Sequence, residues 1–190
     1  MAYVAPSTVT AGTSPITAAA HNIIVNDIIN LRALANVQSV HNSTPQTLTA
    51  SSTLYTFYTF PSLSVSITPT FNTSKILIMS NFFVSVGSAR NAIIRFMRDS
   101  TAIGVGTGSV GSRSPASAEF TQQIADTNSG MSGHFSFLDS PATTSAITYT
   151  LQVADNGGGT PIYGNRTIND TDAGYTVRGA TSIIVKEIPV

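Results

Sequence analysis

Hydrophobic and polar positions alternate with two different periods along this chain. Between residues 17 and 37 apolar side chains recur at helical spacing: Ile23, Ile24, Ile28, Leu31, Leu34 and Ala35. Ile24, Ile28, Leu31 and Ala35 are spaced 4, 3 and 4 apart, which is a two-heptad seam, and Ile23 and Leu34 widen it. Asn22, Asn26, Asn30 and Asn36 mostly hold the other faces. Thr17 is placed to cap the helix with its hydroxyl, and Ala18, Ala19 and Ala20 follow with high helix propensity. Two arrangements fit this pattern: an amphipathic helix packed on its own domain, or a short bundle of helices about a three-fold axis. Two heptads are too short to hold a trimer by themselves.

From Gln46 onward the period falls to two. Leu63, Val65 and Ile67 alternate with Ser62, Ser64, Ser66 and Thr68, the pattern of a half-buried strand. Residues 75–86 are longer and more apolar and read as a central strand. Residues 92–98 and 101–105 flank Asp99-Ser100 as a hairpin, and further strands are expected at 118–124, 131–138, 147–153 and 175–188. Turn-rich stretches lie at 155–159 and 165–174, and 104–115 reads as a Gly/Ser loop. Eight to ten strands with no helical period among them predict a mainly β chain, an antiparallel sandwich of jelly-roll type. Its last strand, apolar and close to the terminus, is expected inside a sheet. Residues 1–16 have no period: Tyr3, Val4, Val9 and Ile16 stand as isolated apolar points, and Pro6 and Pro15 block a helix. That segment is either a disordered tail or an extended arm laid along a partner. The organisation is therefore an arm (1–16), a helix and linker serving as a candidate trimer stalk (17–45), and a β-sandwich domain (46–190).

Composition sharpens the picture. Only 9% of the residues are charged, nine of each sign, against about 25% in an average protein. Ser and Thr number 50 of 190 residues, while hydrophobic residues reach 42%, too many for a disordered chain. So few Lys and Arg argue against a nucleic-acid partner. The absence of Cys removes disulfides, Fe–S clusters and thiol catalysis. No apolar run approaches the ~20 residues that span a bilayer, so no membrane insertion is expected. The start Met1-Ala2-Tyr3-Val4-Ala5-Pro6 lacks the marks of a secretory signal, so assembly in a cytoplasm is expected. Zero net charge favours association, which suits a subunit of an assembly. The first 89 residues carry only Asp27, Arg32 and Lys75 as charges, so the N-terminal half is expected to assemble while the C-terminal loops face water.

Candidate chemistry is sparse. His21, His41 and His134 fall in the helix, the linker and a strand, without metal-ligand spacing. Asp99, Asp139 and Asp155 sit in turn contexts, where Asp bonds its own backbone. Asp170-Thr171-Asp172 has a fragment of a calcium-loop pattern but not its twelve-residue spacing. Gly106-Thr107-Gly108-Ser109-Val110-Gly111 matches the dinucleotide fingerprint, yet Ser112-Arg113-Ser114-Pro115 and more strand follow where that motif needs a helix. Glu119, Asp126 and Asp139 give no sign of a paired glycosidase site. No catalytic residue, metal or cofactor is expected, and an enzyme is the weakest class.

Two parts of the chain carry a resemblance. Val4-Ala5-Pro6 through Gly12, then Ile16-Thr17-Ala18-Ala19, Asn22 and Asn26-Asp27-Ile28-Ile29-Asn30-Leu31-Arg32, resemble the opening of tailed-phage virion proteins of the tail-fibre and collar type. Ser74-Lys75-Ile76-Leu77-Ile78, Arg98-Asp99-Ser100-Thr101-Ala102-Ile103-Gly104, Phe137-Leu138-Asp139-Ser140-Pro141 with Thr148-Tyr149, and Ser182-Ile183-Ile184-Val185-Lys186-Glu187-Ile188 resemble the small jelly-roll domains of phage particles. His21 departs from the pattern, which has a larger apolar or aromatic residue there. The resemblance implies a homotrimeric virion structural protein, a short fibre or tail adaptor. Its arm (Tyr3, Val4, Pro6, Val9, Ile16) would meet other virion proteins, and its jelly roll would project. Tyr55, Phe57, Tyr58 and Phe60 are candidate inter-subunit aromatics, with core packing as the other reading. The alternatives are a capsid-decoration trimer (cement or head fibre) and a module whose outer loops bind a host surface glycan. Those loops, 104–115, 155–160 and 165–174, offer only Tyr163 nearby as an aromatic.

Overall fold

The structure, a computed structural model, describes residues 17–48, 55–87, 90–107, 113–122, 126–157 and 161–190. The arm, with Tyr3, Val4, Pro6, Val9 and Ile16, lies outside the described residues, as do Gly108 and Gly111 of the glycine motif. The Thr17 side chain accepts from Ala20 N–H at 3.2 Å and starts α1, Ala18–Leu34. Arg32 stands in the last turn, where a cation complements the helix dipole. The helix stops at Leu34 rather than running to residue 37, because Ala35 caps it and the Asn36 side chain turns away to bind elsewhere.

Eleven strands follow among the described residues: β1 Val37–Asn42, β2 Gln46–Leu48, β3 Tyr58–Ile67, β4 Lys75–Ser85, β5 Arg90–Arg98, β6 Thr101–Ile103, β7 Ala118–Gln122, β8 Met131–Asp139, β9 Ile147–Asp155, β10 Ile162–Gly164 and β11 Thr181–Ile188. That exceeds the eight to ten expected. β1 lies in a stretch read as the helix end and linker, and β10 in one without a predicted strand. Neither shows a clean apolar alternation: β1 is Val-Gln-Ser-Val-His-Asn, and β10 is only three residues long.

Setting aside the three-residue strands β2, β6 and β10, the other eight pair in a nested order. The first pairs with the last (Val40 opposite Ile183), the second with the seventh (Val65 opposite Tyr149), the third with the sixth (Ile78 opposite Phe137) and the fourth with the fifth (Ile93 opposite Glu119), all antiparallel. One long hairpin wrapped round on itself produces this order, and it is the jelly roll. One sheet holds β1, β11, β4 and β8, with β10 and β2 extending it; the other holds β3, β9 and β5, with β6 and β7 pairing β5. β11 lies between β1 and β4, inside its sheet as expected, and β4 is central.

The core fills the space between the sheets with Phe60, Leu63, Ile78, Phe82, Phe96, Leu151 and Ile183 among others. The pairing of β3 with β9 slips between Thr59 and Ser64, where Pro61 follows Phe60 and Ser62 adopts φ 54°. That bulge turns both Phe60 and Leu63 inward although they are three residues apart. Gly164 of β10 admits the Phe60 ring: a Cβ there would sit 2.3 Å from its Cζ. No helix among the described residues is long and apolar enough to cross a membrane.

Candidate functional site

The outstanding surface is α1. Ile24, Ile28 and Leu31 of the predicted seam are 51%, 52% and 63% exposed, and Ala35, Ile23 and Leu34 are exposed as well. The helix meets the sandwich through a different stripe: Ala33 is buried and Ile29 half-buried. At 3.6 residues per turn, Ile29 and Ala33 lie on the side of the helix roughly opposite Ile24, Ile28, Leu31 and Ala35. Packing on the sandwich therefore leaves the seam uncovered by the described residues. His21 is exposed beside it.

The helix is rooted on a buried carboxylate. Glu187 of β11 is fully buried and accepts hydrogen bonds from Asn36 Nδ2 (2.7 Å), Thr70 N–H (2.7 Å), Thr70 Oγ1 (3.0 Å), Ser74 Oγ (2.7 Å) and Phe71 N–H (3.4 Å). Its backbone N–H also donates to Asn36 O at 3.0 Å, and Asn36 Nδ2 reaches Thr68 O at 2.9 Å. Burial pushes this carboxyl up, but the bonds from Ser74, Asn36 and Thr70 outweigh it and hold the group below its ordinary value. Ile29, Arg32, Ala35 and Asn36 line a cleft of about 560 Å³ against Thr68, Pro69 and Thr70. Thus Asn36 just past the helix cap, the turn between β3 and β4, and the last strand are tied at one point. Sequence reading missed Glu187 as a site, although its parity with Thr181, Ile183 and Val185 on β11 places it on the inward face.

The other candidates separate. Phe60 is 1% exposed in the core, so the structure corrects its reading as an inter-subunit aromatic: the bulge turns it inward. Tyr58 is half-buried against the same core. Phe57 lies under the Arg95 guanidinium of its own chain, 3.8 Å from the ring centroid, and Arg95 in turn binds Gln152 Oε1. Tyr55 alone of the four is exposed.

Asp139 and Asp155 are not turn residues. Each ends a strand and is buried, Asp139 paired with Arg98 at 2.9 Å and Asp155 with Arg90 at 3.8 Å. Tyr149 donates to Asp139 Oδ2 at 2.8 Å; burial and then that carboxylate push its hydroxyl up. Asp99 does occupy the hairpin turn, at φ 50°, and its carboxylate accepts from Thr148 N–H. Asp170 is held by Arg178 at 3.0 and 3.1 Å, which keeps its carboxyl below the usual range. It faces a cleft of about 510 Å³ with Thr171, Asp172 and Thr176. Tyr175 belongs to this loop and is exposed, not the start of the last strand. His41 and His134 lie on the solvent face of one sheet, in the row His41–Ser182–Asn81–His134. Among the described residues no group of three or more His, Cys, Asp or Glu could hold a metal ion. Past the Gly106 motif the described chain runs straight into β7.

No protein-family model matches the chain. No curated protein matches its sequence. Solved structures similar to part of it include that of infectious bursal disease virus, Gt strain, at 10% identity and TM-score 0.43, covering 81% of this chain and 38% of that one. The VP2 subviral particle of infectious bursal disease virus matches at 12% identity and TM-score 0.34, over 81% of this chain and 38% of that one. The enzymatically active domain of bacteriophage CBA120 tailspike protein 4 matches at 10% identity and TM-score 0.28, over 84% and 20%. The chain thus spans well under half the length of each, and at these scores the likenesses bear on none of its residues or activities.

Proposed function

We propose that the chain is a virion structural protein of a tailed phage, a homotrimeric short fibre or tail adaptor. Its arm anchors it to other virion proteins, α1 forms the stalk and the jelly roll projects. The observation that carries the oligomeric part is the seam left open by the described residues: Ile24, Ile28 and Leu31 point away from the sandwich. The sequence resemblance of residues 4–32 and of the later strands supports the phage part. A stalk bundle covers the seam from each chain; each half-exposed Ile or Leu so covered contributes about 1 kcal/mol. Association costs about 4–15 kcal/mol, so the helix needs further contact from the rest of the chain. The protein works by assembly and attachment and carries out no reaction; a host surface glycan on the outer loops is an added partner. Gold-labelled antibody to the sandwich, applied to particles of the phage that encodes the chain, tests this. Label on the tail is expected. Label confined to the head would move the protein to capsid decoration, and unlabelled particles would overturn the virion role.

A further inference from the structure

We infer that the outer face of the sheet formed by β1, β11, β4 and β8 is covered by a second copy of this chain in the assembled protein. This rests on the homo-oligomeric reading above and says which face of the sandwich carries the contact.

Two adjacent rows run across that face. Strand register aligns Val37, Lys186, Leu77 and Leu138 in one, and Ser39, Ile184, Met79 and Ser136 in the next. Alternation puts them all outward, because Ile76, Ile78, Ile183 and Val185 point into the core. Val37, Met79 and Leu138 are 44%, 38% and 45% exposed, and Leu77 and Ile184 are half-buried. The opposite outer face is built differently. There Ser64 faces Thr150 and Ser66 faces Thr148, and the last two hydroxyls bond each other at 2.8 Å. A hydroxyl surface of that kind satisfies itself in water. The apolar rows do not, and a contiguous apolar patch on one face marks an interface.

Two features select a second copy as the occupant, and a third bears on how the copies meet. The patch continues the helix seam: Leu34, itself exposed, and Val37 are separated only by Ala35 and Asn36, and Asn36 is pinned by Glu187. A stable interface takes about 20–30 residues a side, and a two-heptad stripe falls far short. The sheet face is the adjoining surface that can make up the difference. Finally, the face carries Lys186 with no carboxylate in either row. Two copies meeting through this same face would oppose their lysines, whereas a closed three-fold ring sets each face against a different surface of its neighbour.

The chain has no cysteine, so a single introduced thiol reports one position without background. Full-length Leu138→Cys and Met79→Cys are compared with Ser64→Cys on the opposite face, each alkylated by a maleimide at matched mass in light scattering. In the oligomer the Leu138 and Met79 positions should react at least about ten-fold more slowly than the same positions in a dissociated monomer, since access limits thiol reactivity. The same cysteines in an Ile28→Asp background supply that monomer. Leu138 and Met79 rates in a protein of trimeric mass that equal those in the Ile28→Asp monomer would overturn the covered face while leaving the helix stalk standing. Slow reaction at Ser64 with fast reaction at Leu138 would place the contact on the other sheet and overturn it too. A monomeric mass for the wild type would remove the stalk, and the inference with it.

Discussion

At the scale of single residues, the sandwich is held by side chains whose roles follow from strand parity. Glu187 is the extreme case: a buried carboxylate with no cation beside it among the described residues, held by neutral donors. Glu187→Gln keeps the shape but loses the charge-assisted bonds, and should cost about 2–4 kcal/mol in urea unfolding at pH 7. The folded-state pKa of Glu187 lies below its ordinary 4.5, so its contribution is fully present above about pH 4.5. It is lost as pH falls through the lower folded-state value. Wild type should therefore lose stability below pH 4.5 more steeply than Glu187→Gln at the same protein concentration; parallel curves would refute this role. Phe60 and Tyr55 make a second contrast. Phe60→Ala should cost about 3–5 kcal/mol, and Tyr55→Ala no more than about 0.5 kcal/mol in a dissociated background, as read by thermal unfolding. These roles were partly legible. The period-two pattern of β11 put Glu187 inside, but its donors come from residues 36, 70, 71 and 74, more than 110 positions away, and no local pattern announces them. Extending the alternation of Leu63, Val65 and Ile67 back along β3 would turn Phe57 inward and Phe60 outward, and the bulge at Pro61 reverses that parity.

At the scale of elements, α1 is the part whose sequence pattern and surroundings disagree most. Its cap at Thr17 and its seam were readable from spacing alone, and the structure confirms the cap. What spacing could not say is that the domain takes the Ile29 and Ala33 stripe and leaves the seam free. Ile28→Asp places a charge in that seam. It should dissociate the oligomer by at least about 100-fold in Kd, with the strand signal in circular dichroism unchanged, because burying an unpaired carboxylate costs several kcal/mol. The same substitution leaving Kd unaltered would mean that the seam faces water in the assembly. β1 teaches a related point. Val37–Asn42 carries little apolar alternation because only Val40 of its inward positions Gln38, Val40 and Asn42 is apolar, so it read as linker. Removing residues 1–40 to detach the stalk would also cut β1 from β11 and release Asn36 from Glu187, so a clean detachment must end before Asn36.

At the scale of the whole molecule, the low charge noted in the sequence acquires a location. The seam of α1 and the apolar patch of Val37, Leu77, Met79, Leu138 and Ile184 on the outer face of the β1-β11-β4-β8 sheet are both left uncovered by the described residues. The class of fold was legible from strand spacing, but the nesting that defines the jelly roll was not. Val40 pairs with Ile183 across more than 140 residues, and such pairing is set by the closure of the whole barrel rather than by any segment. If both uncovered surfaces meet other copies, the chain is oligomeric in solution. Light scattering on the purified full-length chain at micromolar concentration measures that number directly. A homotrimer should read about three times 19.8 kDa, and a reading of 19.8 kDa would refute it.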